Sequence, residues 1–258
     1  MDSIEACARQ IYAARVTGTR MRDLEPASKP STLADAYAVQ DRVMRLLGEP
    51  VGGWKVGAIS FAHPSTVAPI PASRLLATPA TLPSDDSSLL GIEAEVAFKF
   101  KRDFEPSGQA YSKDEILDSI ESVHPVIEVL ESRFEDILSI SRLTAVADNI
   151  SNGHLIHGPS VSDWRSLNLE RPFIKVTNKG RLFSLGIGNN GGDPFRLLCE
   201  LVNHAASARG GLSRDALVTT GTCTGIIFCK PGDDLRVEFR GLGVIELKFE
   251  VRSPVLSA

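Results

Sequence analysis

Three glutamates carry the strongest chemical signal in the sequence. In Gly91-Ile92-Glu93-Ala94-Glu95-Val96-Ala97-Phe98-Lys99-Phe100, apolar residues alternate with Glu93 and Glu95. Side chains alternate faces along a strand, so the two carboxylates share one face, about 7 Å apart, opposite Ile92, Ala94, Val96, Phe98 and Phe100. Alone, that pair also fits the solvated face of an ordinary antiparallel strand. Glu128 changes the weighing. It sits at the centre of Val126-Ile127-Glu128-Val129-Leu130, with apolar Val126 and Leu130 as its same-face neighbours. A carboxylate buried there must be protonated, paired or bound to a cation, because a bare buried charge is costly. Three carboxylates on two strands suit a hard divalent ion such as Mg²⁺, which takes oxygen ligands and keeps positions for water and substrate.

Lys55 lies in Gly52-Gly53-Trp54-Lys55-Val56-Gly57. It is either a solvent-facing strand residue or a cation in a cleft, placed to bind a carboxylate or move a proton. Thr219-Thr220-Gly221-Thr222-Cys223-Thr224-Gly225 places small hydroxylated residues between glycines, which lets backbone N–H groups and hydroxyls approach a ligand. Gly186-Ile187-Gly188-Asn189-Asn190-Gly191 fits the dinucleotide fingerprint literally. That site also needs an acid about 20 residues on, after the second strand of a βαβ unit, and no such acid follows. The segment reads instead as a glycine-rich strand-to-helix loop near a site. His154 and His157 lack further ligands around them and read as structural. Cys7, Cys199, Cys223 and Cys229 form no C-x-x-C pair and read as reduced thiols.

The elements that must position these residues follow from periodicity. Ile4, Cys7, Ile11 and Ala14 predict a helix over 3–16. Thr32 opens a second, with Leu33, Ala36, Val39, Val43, Met44 and Leu47 on one face and Gly48 as its stop. A strand is expected over 51–60, then a Pro- and Ser-rich loop over 61–88. After the strand of Glu93 and Glu95, Ser112 to Glu115 is a capping box for a short helix, ended by His124-Pro125. Asp193-Pro194 opens another helix, stopped by Gly210-Gly211. Strands over 217–220, 226–229, 235–239 and 244–251 complete the chain. Runs of strands with few helices suggest α+β rather than a doubly wound sheet.

At 258 residues, with 43% hydrophobic and 23% charged residues, the chain has an ordinary globular composition and can bury a core without staples. A net charge of −4 argues against a nucleic-acid or acidic-membrane binder. No apolar run reaches the roughly 18 residues of a membrane span, and Met1-Asp2-Ser3-Ile4-Glu5 lacks signal-peptide character. The expectation is a cytoplasmic protein.

The segments at 53–57 (GWKVG), 92–98 (IEAEVAF), 124–134 (HPVIEVLESRF), 146–153 (VADNISNG) and 219–225 (TTGTCTG) together resemble the fumarylacetoacetate hydrolase superfamily, in its 2-keto-4-pentenoate hydratase and 4-oxalocrotonate decarboxylase branch. The resemblance spans about residues 5 to 250. It implies a mixed β-sandwich roll with a helical N-terminal region over 1–50, the roll and its metal site over 51–258, and the whole as a single catalytic domain. It implies Mg²⁺ or Mn²⁺ held by Glu93, Glu95 and Glu128, Lys55 near the substrate and catalytic, Thr222 near the substrate carboxylate, and a homo-oligomer. The implied activity is a metal-dependent lyase, hydratase-like, on a short 2-keto or 2-enol acid. A 4-oxalocrotonate-type decarboxylase and an acylpyruvate C–C hydrolase are the enzyme alternatives. An accessory subunit that stabilises a pathway partner enzyme is the non-enzyme one.

One segment departs from the pattern. Hydratases of this branch carry an acid in the loop after the lysine strand, in a stretch resembling Gln-Pro-Asp-Tyr/Phe-Gly. Here residues 61–70 read Phe-Ala-His-Pro-Ser-Thr-Val-Ala-Pro-Ile, with His63 as the one titratable substitute. Glu131 stands where relatives often have a small residue, and is a candidate extra acid near the metal.

Overall fold

The computed structural model describes residues 2–58, 60, 62–85 and 89–252. The chain opens with two packed helices, α1 (Ser3–Thr17) and α2 (Leu33–Leu47). Thr32 and Asp35 form a reciprocal capping box on α2, and Gly18 and Gly48 close the two helices in the left-handed conformation. There follow β1 (Val51–Gly57), β2 (Thr66–Pro71), β3 (Leu75–Ala77), β4 (Ala80–Ser84), β5 (Gly91–Phe100), α3 (Lys113–Asp118) and β6 (Ile120–Leu130). The second half adds α4 (Arg142–Ala147), β7 (Asn152–His157), β8 (Phe173–Asn178), β9 (Arg181–Ile187) and α5 (Pro194–Ala208). It ends with β10 (Leu217–Thr222), β11 (Ile227–Phe228), β12 (Asp234–Phe239) and β13 (Gly243–Val251).

An eight-stranded mixed sheet runs β2-β1-β10-β5-β6-β7-β3, with β11 also on β5. A five-stranded sheet runs β4-β13-β12-β8-β9. The apolar face of β5 packs, through Ile92, Val96 and Phe98, into a core shared with Val176, Val237 and Leu247 of the second sheet and Leu198 and Leu201 of α5. The opposite face is the inside of a curl. Ile70, Ala97, Val126, Leu155 and Leu217, from five different strands, cluster there. Ala97 lies on the face of Glu93 and Glu95, and Val126 on that of Glu128. α1 and α2 pack separately, against Phe134, Val146 and Ala147. The architecture is therefore the expected α+β, mixed β-sandwich roll with a helical N-terminal region. Among the described residues no helix is long and apolar enough to cross a membrane.

Two sequence expectations fail for related reasons. Half of the segment read as a loop over 61–88 is strand: β2, β3 and β4 lie within it. Its prolines suggested otherwise, but β2 and β4 are edge strands, where a missing N–H costs no ladder bond. Phe61 and residues 86–88 lie outside the described residues, as does Ile59 in the stretch read as strand over 51–60, where β1 ends at Gly57. Further on, the capped helix closes at Asp118 rather than at His124-Pro125, and β6 runs through that proline. β7 ends at His157, opposite Val126, so Pro125 needs no donor on that side, and its carbonyl accepts the Gly158 N–H at 2.9 Å.

Candidate functional site

The register of β5 and β6 sets Glu93 directly opposite Glu128, with Glu95 next along the same face of β5. One carboxylate oxygen from each of the three lies within 4.8 Å of the others, the one such group of three among the described residues. Glu128 is fully buried, Glu95 is 2% exposed, and Glu93 is half-buried. Like charges placed directly across a ladder repel, so the arrangement calls for a counter-charge. Lys55 supplies part of it. Its Nζ donates to Glu128 Oε1 at 2.5 Å and to the Ile150 carbonyl at 3.1 Å. β10 and β5 separate β1 from β6 in the sheet, and the curl brings Lys55 within reach across them. The lysine is thus buried, which sets aside the solvent-facing alternative.

The protein partners the carboxylate oxygens unevenly. Glu128 Oε1 accepts from Lys55 and from Asn152 Nδ2 at 2.9 Å, while Oε2 is buried with no protein partner. Glu95 Oε2 accepts from the Thr219 hydroxyl and from the Gly221 N–H at 3.1 Å. Gly221 holds φ at +89°, within a register shift between Thr219 and Thr222; that backbone favours glycine and turns its N–H onto Glu95. Thr222 stands in register with Glu95, and its hydroxyl donates to the Gly225 carbonyl at 3.3 Å. The threonine-glycine segment therefore braces the Glu95 carboxylate.

Burial, and then the Glu128 charge, push the Glu93 carboxyl up to about 7, against the opposing pull of Lys55 and Thr222. Burial followed by the charges of Glu128 and Glu93 holds Glu95 well above the usual carboxylate range. Burial alone would pull Lys55 down, but the charges of Glu128, Glu93 and Glu95 outweigh it and hold the ammonium above its ordinary value. Hard oxygen donors, an unpartnered buried oxygen and mutual repulsion that one lysine does not cancel together fit a divalent cation.

Other candidates lie elsewhere. Glu131 pairs with Arg74 at 3.1 Å, not with the three glutamates, because it follows the end of β6. His63 is exposed and shares a 2.7 Å hydrogen bond with Ser60. The His154 ring meets Arg74 at 3.3 Å, and burial and that guanidinium pull it down to about 4. All four cysteines are free thiols. The glycine-rich loop at 186–191 braces the threonine segment: Asn189 Nδ2 donates to the Thr220 and Gly221 carbonyls at 2.6 and 3.0 Å, and Asn190 N to that of Thr222 at 2.9 Å. Its flanking strand β9 pairs antiparallel to β8, not in a βαβ unit. Sequence reasoning missed Asn152, Thr219 and the Ile150 carbonyl. The first two stand in segments quoted for the family resemblance; a backbone carbonyl leaves no residue signature.

No family model matches the chain. It is 27% identical over 259 residues to 4-oxalocrotonate decarboxylase of Pseudomonas putida, covering 96% of this chain and 97% of that protein. It is 25% identical over 257 residues to 2-keto-4-pentenoate hydratase of Paraburkholderia xenovorans strain LB400, covering 95% and 94%. The fold matches 4-oxalocrotonate decarboxylase from Pseudomonas putida G7, solved with magnesium and adipate, at a TM-score of 0.84 and 24% identity over 95% of this chain and 97% of that one.

Proposed function

The chain belongs to the fumarylacetoacetate hydrolase superfamily, in its 2-keto-4-pentenoate hydratase and 4-oxalocrotonate decarboxylase branch, and on that premise we propose a divalent-metal-dependent lyase of a short 2-keto or 2-enol acid, adding water to 2-hydroxypenta-2,4-dienoate or a relative. The observation that carries this is the convergence of Glu93, Glu95 and Glu128 with Lys55, where Glu128 Oε2 is buried without a protein partner. In this reading the three carboxylates hold Mg²⁺ or Mn²⁺. When bound, the ion supplies Lewis-acid stabilisation of charge on the substrate 2-oxygen.

The protein's own groups do the rest. An ammonium has three N–H donors; Lys55 commits two, to Glu128 and to the Ile150 carbonyl. The third is available to orient a substrate carboxylate or pass a proton at Nζ. Thr222 takes the carboxylate end. Thr219, Gly221 and Asn152 fix the glutamates and so remove reorganisation from the reaction.

A second reading, decarboxylation of a vinylogous 2-keto diacid, is favoured by one feature. Residues 61–70 carry no acid to serve the distal proton that hydration at C4 requires. Decarboxylation uses the same electron sink without that group.

We read the chain as one catalytic domain, with the N-terminal helices as a buttress. Gln40 of α2 donates to the Val67 and Val146 carbonyls at 3.0 and 2.7 Å, tying the helix to β2 and α4. A homo-oligomer belongs to the same proposal, supported by the apolar edge strand β9, where Leu182, Phe183, Leu185 and Ile187 are all exposed.

The test is to strip the protein with a chelator and offer it 2-hydroxypenta-2,4-dienoate and 4-oxalocrotonate, with and without Mg²⁺ or Mn²⁺. The expected result is loss of the diene absorbance that requires the cation. Turnover of neither acid with either ion would sink the lyase reading and favour an accessory subunit.

A further inference from the structure

Three consecutive residues with side chains, Asn149, Ile150 and Ser151, hold φ at 52°, 53° and 56°. Left-handed backbone costs about 1–2 kcal/mol per non-glycine residue, so such a turn persists only where its surroundings over-determine it. The fully buried Arg133 does so. Its Nε donates to the Asp148 carboxylate, its Nη2 to the Asp148 carbonyl at 2.7 Å and its Nη1 to the Asn152 carbonyl at 3.0 Å. One guanidinium thus bolts both ends of the turn. Asp148 Oδ2 also accepts the Arg133 backbone N–H at 3.1 Å, and Asn149 Nδ2 donates to the Pro69 carbonyl of β2 at 3.0 Å.

Two groups from this segment reach the glutamate cluster: the Ile150 carbonyl receives Lys55 Nζ, and Asn152 Nδ2 holds Glu128 Oε1. We propose that Arg133 and Asp148, with the left-handed turn they lock, are positioning residues that hold Lys55 against Glu128 Oε1 and so leave Glu128 Oε2 for the cation. A right-handed turn would swing the Ile150 carbonyl away and leave the buried ammonium with Glu128 as its one acceptor among these. The lysine would then follow whichever oxygen of Glu128 it could reach, in competition with the ion. This rests on the cation reading of the preceding subsection.

A double-mutant cycle tests it. Asp148→Asn keeps the shape and removes the charge. Its Mn²⁺ affinity, read by electron paramagnetic resonance, and its kcat should each fall by about 10- to 100-fold, the range typical of groups that orient a ligand, with KM little changed. On a Lys55→Ala background the same substitution should lower kcat hardly further, because residues acting through one another are not additive. If Asp148→Asn does not fold, Asn152→Ala breaks no ion pair and should weaken Mn²⁺ binding while remaining folded. Additive losses of kcat together with wild-type Mn²⁺ affinity in these variants would overturn the positioning role. Absence of Mn²⁺ binding by the wild type would overturn the cation reading and the proposal with it.

Discussion

Lys55 and Glu128 are each other's counter-charge at a buried position. Removing one partner of a buried pair typically costs about 3–5 kcal/mol, mostly because the other charge is stranded. Lys55→Ala should therefore lose roughly that much stability in chelator and recover much of it with Mn²⁺, measured by urea unfolding. Its kcat/KM should fall about 10- to 150-fold, the worth of one charged hydrogen bond. Wild-type stability and kinetics would return the lysine to a solvated face. Proton linkage gives a second expectation. Burial and the neighbouring Glu128 charge push the Glu93 carboxyl up to about 7 in the folded chain, from an ordinary 4.5. Between those values the folded state holds a proton that the unfolded state has released, so stability falls as pH rises. Lys55, held above 10.5, loses its contribution only in more alkaline solution. The metal-free protein should thus become less stable from pH 4.5 to 7 relative to the cation-loaded one, with the gap widening in thermal melts. A constant gap would show that the carboxylates do not repel one another as described. The carboxylates themselves were legible in the sequence because strand alternation and an apolar context single them out. Asn152 was not, since its value lies in the oxygen it holds on another strand.

At the scale of elements, the strands β5 and β6 were readable over Glu93, Glu95 and Glu128, while β2, β3 and β4 were hidden behind prolines. The reason is that proline is judged locally but tolerated by position: on an edge it costs nothing, and whether a strand is an edge depends on the finished sheet. The curl of the eight-stranded sheet has the same character. It lets Lys55 reach Glu128 across two strands, and no segment encodes it alone. One local device is specific enough to test. Gly221 at φ +89° aims its N–H at Glu95 Oε2. Gly221→Ala should destabilise the protein by about 1–2 kcal/mol through backbone strain and weaken Mn²⁺ binding by disturbing Glu95. An unchanged melting temperature and affinity would mean that the turn tolerates a side chain and is not what orients the carboxylate.

The whole molecule presents its site on the inside of a roll and an apolar strand at the far edge of its second sheet. β9 is the last strand in that sheet, with Leu182 62% and Leu185 54% exposed. An uncovered apolar edge is an association surface, so the wild type should sediment as a multimer and Leu185→Lys should shift it toward smaller species. A monomeric wild type would contradict the oligomer. Within the roll, we propose that the three glutamates of β5 and β6 form one cation site, partitioned by Lys55. The most direct measurement is the anomalous difference map of a crystal soaked in Mn²⁺. The account predicts a single strong peak bonded to one oxygen each of Glu93, Glu95 and Glu128, the last through Oε2, with Lys55 still on Oε1. A map with no peak among these residues, or a peak elsewhere with the glutamates unoccupied, would contradict it.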